Sequence, residues 1–385
     1  MAEDRRRVLV LSFSPIASDA RVLKQVELLR DRYAVTTCGY GPAPDGVARH
    51  VEIPATSVAL DGRLITLRAY TRAYWAMPAV AAARSLLAAE RGGFDVVLAN
   101  DVEAVPLARW LRPTRGVHAD LHEYSPRLHE ENPAWLRRIA PFYRWLCRRH
   151  VTRAASATTV GRGLADAYRT EFGIDAGVVT NAAPYASLEP GDVSDDGPLR
   201  LVHSGAALRD RYLEVMLDAV AMTAADVSLD LYLMPNDPPY IAELRERAAA
   251  IPGVQVLDAV PYARLVTTLN AYDLGVFVLP PVNFNYANAL PNKVFDYVQA
   301  RLGLIVGPTP EMAALAREHA VGVVTADFSA AALAEVLDGL TPERVAELKS
   351  AAHAAARALS AETQVLGWAR AVGALVGDQP AGGAR

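Results

Sequence analysis

The sequence predicts an α/β protein built from two doubly wound parallel sheets. Short apolar, β-branched runs alternate with helix-period segments along nearly the whole chain. Continuous apolar strands separated by helices form parallel sheets covered on both faces. The alternation breaks once, over Pro184–Pro198. That stretch holds Glu189, Pro190, Gly191, Asp192, Asp195, Asp196 and Gly197 and few large apolar side chains, the composition of an exposed linker. The chain has 385 residues, 52% of them hydrophobic, enough for two separate cores. The expected organisation is an N-terminal Rossmann-like domain over 1–184, a linker over 185–198 and a C-terminal Rossmann-like domain over 199–360. A last helix at about 361–377 has no strand after it and is expected to pack back on the first domain.

The elements follow in order. Val8–Phe13 is a continuous apolar run, a strand. Ala20–Arg30 repeats Val22, Leu23, Val26 and Leu29 at the helix period, with Asp19 placed to cap it. Further strands are expected at Ala34–Cys38, Asp95–Ala99, Val117–Leu121, Ala157–Val160 and Val178–Asn181. Beyond the linker come a strand at Leu199–His203 and a helix at Tyr212–Met222. Strands then follow at Leu229–Met234, Val254–Leu257, Leu274–Leu279, Leu302–Val306 and Val321–Val324. Open α/β sheets bind ligands outside the carboxyl ends of their strands, so two facing domains predict a cleft with one ligand on each wall.

Composition excludes several classes. A net charge of −4 argues against a general nucleic-acid binder. Cys38 and Cys147 alone make neither a disulfide scaffold nor a cysteine zinc site. The start Met1–Arg7 leads into a run without the length or cleavage region of a signal peptide. No apolar stretch reaches the ~20 residues of a membrane span, so a cytoplasmic protein is expected. No Gly-x-Gly-x-x-Gly follows the first strand, and neither a P-loop nor a Gly-x-Ser-x-Gly elbow occurs. His122-Glu123 is not a zinc-protease helix, because Pro126 stands at the partner position. His118, Asp120 and His122 share one face of a strand; they read either as metal ligands or as an ordinary strand end.

Two places carry phosphate chemistry. Leu201–Gly205 is a strand ending in glycine, followed by Arg209 and Arg211 and then a helix start. Glycine admits a ligand to the backbone, the helix start offers free N–H groups, and the arginines could clamp a diphosphate; the alternative is a turn with two solvated arginines. The second place is Asn288–Tyr297. Leu290-Pro291 places a helix start there. Lys293 is one of only three lysines among 39 basic residues, and Asp296 lies on its side of the helix. The lysine can meet a phosphate and the carboxylate a ribose diol; the alternative is a cap with an i,i+3 ion pair. Asparagine also concentrates here, with four of nine at 283, 285, 288 and 292.

With these blocks in order the chain resembles the GT-B glycosyltransferases, in particular the retaining family-4-like group that uses nucleotide-sugar donors. The blocks are Ser18–Lys24, Asp95–Asp101, Asp120-Leu121-His122-Glu123, Gly205–Glu214, Asn288–Tyr297, Leu304–Gly307 and Pro310-Glu311-Met312. The resemblance implies that Gly205, Arg209, Arg211, Leu290 and Lys293 surround the donor diphosphate and that Asp296 binds the ribose. Asn288 and Ala289 would face the donor sugar, with Val260 and Pro261 beside the base. His122 would be the catalytic-site histidine, and Asp19, Arg21, Asp101 and Glu123 would lie on the acceptor side. It implies no metal and no cofactor, only the nucleotide sugar as co-substrate and a hydroxyl acceptor. Asn288 stands where the family has the first Glu of its Glu-x7-Glu motif, Asp296 replaces the second Glu, and Tyr212 replaces the usual Gly after the basic residue. The Asn288 departure keeps a non-catalytic sugar-nucleotide-binding protein in play. A nucleotide-sugar 2-epimerase shares the architecture, but its usual start is absent from Phe13–Arg21.

One stretch bears on partners. Trp135–Arg153 holds six arginines, no acid and a stripe of Ile139, Phe142, Tyr143 and Leu146. Gly62–Ala89, with Arg63, Arg68, Arg72 and Arg84, is also acid-free. Two readings stand: peripheral contact with an anionic membrane or lipid-linked acceptor through 135–153, or a core-facing stripe with solvated arginines.

Overall fold

The computed structural model describes residues 5–193 and 197–377; Asp195 and Asp196 of the expected linker lie outside them. Thirteen strands form among the described residues: β1 (Arg7–Pro15), β2 (Ala34–Tyr40), β3 (Arg49–Ile53), β4 (Val96–Asn100), β5 (Gly116–Leu121), β6 (Ser156–Thr159), β7 (Ala176–Val178), β8 (Leu199–Ala206), β9 (Val227–Met234), β10 (Val254–Asp258), β11 (Leu274–Phe277), β12 (Gly303–Val306) and β13 (Gly322–Val324). They make two parallel sheets, ordered β3-β2-β1-β4-β5-β6-β7 and β10-β9-β8-β11-β12-β13. Each sheet reverses direction beside its first strand, so the switch points lie between β1 and β4 and between β8 and β11.

The chain divides into two compact units. Unit 1 runs to Thr180 and takes in Asn283–Asn285 and the chain from Val365; unit 2 comprises Asn181–Val282 and Tyr286–Gln364. In unit 1, Leu9 and Leu11 enter one core cluster and Val8 and Val10 another, the two faces of one doubly covered strand. Strands β4, β11 and β12 are buried at every position, which is why they read as unbroken apolar runs. The helix Leu366–Val376 lies on unit 1, where Val372 and Val376 pack with Val8, Val10 and Val26.

Most boundaries match the periodicity; the helix Ala20–Arg30 starts where Asp19 accepts from the N–H groups of Arg21 and Val22. Three differ for physical reasons. Strand β3 is an edge strand carrying Arg49, His50 and Glu52, so it has no apolar run to reveal it. Strand β7 ends at Val178, not Asn181, although the Val179 N–H still donates to the Thr159 carbonyl at 2.8 Å. The expected helix start at Tyr212 moves to Glu214, because Tyr212 sits in the left-handed region at φ 50°, ψ 52°. Glycine costs nothing there, whereas a side chain costs about 1 kcal/mol. Tyr212→Gly is therefore expected to shift stability by no more than about 1 kcal/mol, in the stabilising direction, as read by chemical denaturation.

The stripe over 135–153 belongs to the core. Phe142, Tyr143 and Leu146 are buried, and Ile139 packs against them. Trp135 stacks on Tyr143 and Trp145 on Phe142. Arg144 lies 3.1 Å from Glu171. This apolar face is spent inside unit 1.

Candidate functional site

Unit 2 contains a cavity of about 710 Å³ at the carboxyl ends of β8, β9 and β10. Its charged lining residues are Arg211, Lys293 and Asp296. Strand β8 runs past His203 to Ala206, pairing with β9 as far as Met234. Gly205 makes this possible: its φ is +144°, and a Cβ there would stand 2.8 Å from Lys293 Nζ. Only a glycine lets the lysine lie across the strand end.

Lys293 comes from the first turn of the helix Asn292–Gln299 and is 7% exposed. Its ammonium lies 3.9 Å from the centre of the Phe277 ring and 3.3 Å from His203 Nε2. On its other side His203 places Nδ1 3.0 Å from the Val276 carbonyl. A carbonyl only accepts, so Nδ1 carries the proton and Nε2 accepts from the lysine. Burial, then the Lys293 charge, holds His203 well below the ordinary histidine range and keeps it neutral. Burial, then the Arg211 guanidinium, holds Lys293 well below the ordinary lysine range, with Asp296 pulling the other way.

The remainder of the cavity is largely apolar. Met234, Val260, Pro261 and Leu265 line it together with the rings of Tyr232 and Tyr262. Tyr297 supports it from below, accepting a hydrogen bond from the Ser204 N–H at 3.1 Å; its ring occupies the space a Cβ on Gly275 would need.

The structure sorts the sequence candidates of unit 2. Gly205, Arg211, Lys293, Asp296, Val260 and Pro261 meet at the cavity. Arg209 does not. It donates to both Glu243 oxygens at 2.7 Å and to Asp237 at 3.2 Å, and it stacks on Tyr240. A bidentate carboxylate has captured it on the surface. For any diphosphate ligand of this cavity, Arg209→Ala is expected to leave affinity within about twofold, whereas Arg211→Ala lowers it by at least tenfold, as measured by titration calorimetry. Leu290 also points elsewhere, into the core with Val294 and Phe295; Pro291 and Asn292 line the cavity in its place. Asn288 and Ala289 form the turn after the short helix Phe284–Ala287 and are not among the lining residues. The residues that sequence reasoning missed are His203, Tyr232, Tyr262 and Tyr286. Tyr286 donates to Asp210 at 3.0 Å, beside Arg211. Only the strand alternation of β9 could have placed Tyr232.

In unit 1 the carboxyl ends of β1 and β4 frame a smaller cavity of about 150 Å³. Asp19, Asp101, Glu103, Asn100, Ser12 and Ser14 are among its lining residues. Burial and the neighbouring Asp101 carboxylate push Glu103 up to about 7. Asp101 adopts φ 63° and accepts from the His122 N–H at 2.9 Å. The His122 ring sits 3.3 Å from Asp101 through Nδ1, and 3.3 Å from Asp120 and 3.1 Å from Asn100 through Nε2. Burial alone would lower the His122 pKa; the Asp101 and Asp120 carboxylates outweigh it and raise it. Both ring nitrogens are thus engaged within unit 1.

Arg21 belongs to the interior, not to an acceptor face. It is 7% exposed and grips Asp120 with two hydrogen bonds of 2.8 and 2.7 Å. It also donates to the Val179 carbonyl and lies over the Trp368 ring. Asp120 is a hub that further accepts from Gln25, Thr158 and Trp368. Glu123 is exposed beyond β5. The metal reading of His118, Asp120 and His122 fails on the same contacts. His118 is buried between Ser156 and Thr158 with its pKa lowered to about 4, and the Asp120 oxygens are taken. Among the described residues no cluster of three such ligands is placed to hold a metal ion.

The sequence matches no protein-family model and no curated protein. Solved structures do match over nearly the whole chain. HepE of Anabaena, crystallised with UDP-glucose, is 16% identical with a TM-score of 0.68, covering 96% of this chain and 99% of that one. Sucrose-phosphate synthase of Thermosynechococcus elongatus is 13% identical with a TM-score of 0.70, covering 97% and 100%. The UDP-forming α,α-trehalose-phosphate synthase of Burkholderia vietnamiensis is 13% identical with a TM-score of 0.66, covering 97% and 100%. With two parallel-sheet domains matched over nearly their whole length, and at identities that speak for the fold alone, the chain has the GT-B fold of these glycosyltransferases.

Proposed function

We propose that the chain is a glycosyltransferase that moves a sugar from a nucleotide-diphosphate-sugar donor, held in unit 2, to a hydroxyl of a glycan, glycolipid or natural-product acceptor. The transfer proceeds with retention and without an essential metal. One observation carries the reading. Arg211 and Lys293, neither of which makes an ion pair among the described residues, meet at a cavity that also holds Asp296 and is otherwise mostly apolar. Two cations suit a diphosphate, a carboxylate suits a ribose diol, and a wall of Val260, Pro261 and aromatic rings suits a flat base.

The chemistry follows from what must be stabilised. Breaking the bond between the anomeric carbon and the phosphate oxygen leaves negative charge on the diphosphate and positive charge on the sugar. Arg211, Lys293 and the N–H groups at the start of the helix Asn292–Gln299 meet the growing negative charge. A leaving phosphate oxygen, on the same face as the incoming acceptor, accepts the acceptor's hydroxyl proton as the new glycosidic bond forms. The motif order supports retention, and the two protein cations support metal independence. Asp19, Asp101 and Glu103 offer acceptors for the hydroxyls of a sugar-like acceptor.

A thermal-shift panel of UDP, GDP, ADP and TDP and their common sugars tests the donor site, followed by a hydrolysis and transfer assay with whichever nucleotide binds. Selective stabilisation of a few degrees, with slow donor hydrolysis, is the expected result. No shift with any nucleotide at millimolar concentration defeats the donor assignment. Binding with neither hydrolysis nor transfer would favour a sugar-nucleotide-binding protein.

A further inference from the structure

The two acid-free segments of the sequence come together in unit 1. A Cβ on Gly62 would lie 3.4 Å from Ile139 Cδ1. The Tyr70 ring stands 5.6 Å from Phe142 and 5.8 Å from Trp145. With the apolar stripe used by the core, three pieces remain outward: the helix Gly62–Ile65, the loop 66–69 and the helix Pro133–Arg138. Arg63, Arg68, Arg137 and Arg138 are exposed on them, as is Arg72 on the adjoining helix Tyr70–Ala76, and none makes an ion pair among the described residues. The nearest acids in sequence are engaged elsewhere. Asp61 caps the Arg63 N–H, Glu130 pairs with Arg127, and Glu131 lies 3.5 Å from His129.

An apolar element accompanies this charge. Leu67, between Arg63 and Arg68, is 87% exposed, and Leu136 lies 36% exposed beside Arg137. Water hydrates the guanidinium groups well and the leucines poorly. A nucleic acid would match the arginines and leave Leu67 without a role. An anionic lipid surface matches both, with phosphate headgroups for the charges and the acyl boundary for the leucine. No helix among the described residues is long and apolar enough to cross a membrane, so the contact is with a surface. We propose that this tip of unit 1 docks on an anionic lipid bilayer, with Leu67 entering the headgroup layer and the unpaired arginines of the adjoining segments meeting its phosphates.

Co-sedimentation with vesicles of equal parts phosphatidylglycerol and phosphatidylcholine tests the proposal. Binding is expected there and not to pure phosphatidylcholine, and it should weaken as salt rises. Arg137→Ala with Arg138→Ala should weaken it roughly 25-fold, about fivefold per charge removed. Leu67→Ser should weaken vesicle binding and leave binding to heparin unchanged. All three side chains are exposed, and an unaltered unfolding midpoint certifies each variant. Absence of binding to the anionic vesicles at low salt, or equal binding by the arginine variant, overturns the proposal. So does a Leu67→Ser protein that binds vesicles as well as wild type, which would reduce the tip to a general polyanion contact.

Discussion

Lys293→Met is expected to weaken nucleotide-diphosphate binding by ten- to a hundredfold, or about 1.5–3 kcal/mol, while leaving the empty protein as stable as wild type or more so. The two effects separate because the lysine is buried without an ion pair. In the empty cavity its ammonium faces His203 Nε2 and the Phe277 ring, with Arg211 nearby. Burial and Arg211 depress its pKa. Between the depressed value and the ordinary one near ~10.4, the unfolded chain binds the proton more tightly than the folded one. The stability of the empty protein therefore rises with pH through that window and reaches its full value above the ordinary lysine pKa. A bound diphosphate reverses the preference. Binding should take up a proton, and affinity should fall as pH rises through the same window. Calorimetry in buffers of different ionisation enthalpy counts that proton, and denaturation gives the stability. Proton uptake persisting in Lys293→Met would remove the lysine from this role.

The second large effect is expected at Asp120. Asp120→Ala leaves Arg21 buried with its best partner gone and strands Gln25, Thr158 and the Trp368 indole N–H. A loss of about 3–5 kcal/mol is expected. Removing both charges, as Arg21→Met with Asp120→Leu, should recover a large part of it, which denaturant midpoints of the three variants would show. Burial raises the Asp120 pKa, yet Arg21 and His122 outweigh it and hold the carboxyl well below the usual range. The stability it supplies is present above the unfolded value near ~3.9 and is lost as pH falls toward the folded one. His122, raised by the same cluster, has the opposite sense. Its contribution is complete below its unfolded value near ~6.5 and fades as pH rises through the raised one. A double variant as unstable as Asp120→Ala would show that packing, not the unpaired charge, sets the loss.

The sheets were legible because their central strands are buried on both faces and so appear as unbroken apolar runs; β3, carrying Arg49, His50 and Glu52 at an edge, was not. Lys293 was legible through its rarity and Asp296 through its spacing. The choice between Arg209 and Arg211 was not. It depends on Glu243, 34 residues beyond Arg209, and on a left-handed Tyr212 that turns the chain between them and the next helix. His203 looked like one more strand residue until β11 supplied the Val276 carbonyl that fixes its tautomer. Arg21 was expected on the acceptor side; the partners that bury it instead, Asp120 and Trp368, lie 99 and 347 positions away.

The return of the helix Leu366–Val376 to unit 1 orders events during biosynthesis. Val8, Val10 and Val26 have their full apolar neighbourhood only once Val372 and Val376 arrive, and Asp120 keeps one acceptor site open until Trp368 does. All of unit 2 is translated between Thr180 and Val365, apart from the three residues 283–285 that belong to unit 1. At ~5–20 residues per second, the unfinished sheet waits on the order of ten to forty seconds. Of the two units, the one begun first is thus completed last. During that interval its bare valine face is open to aggregation.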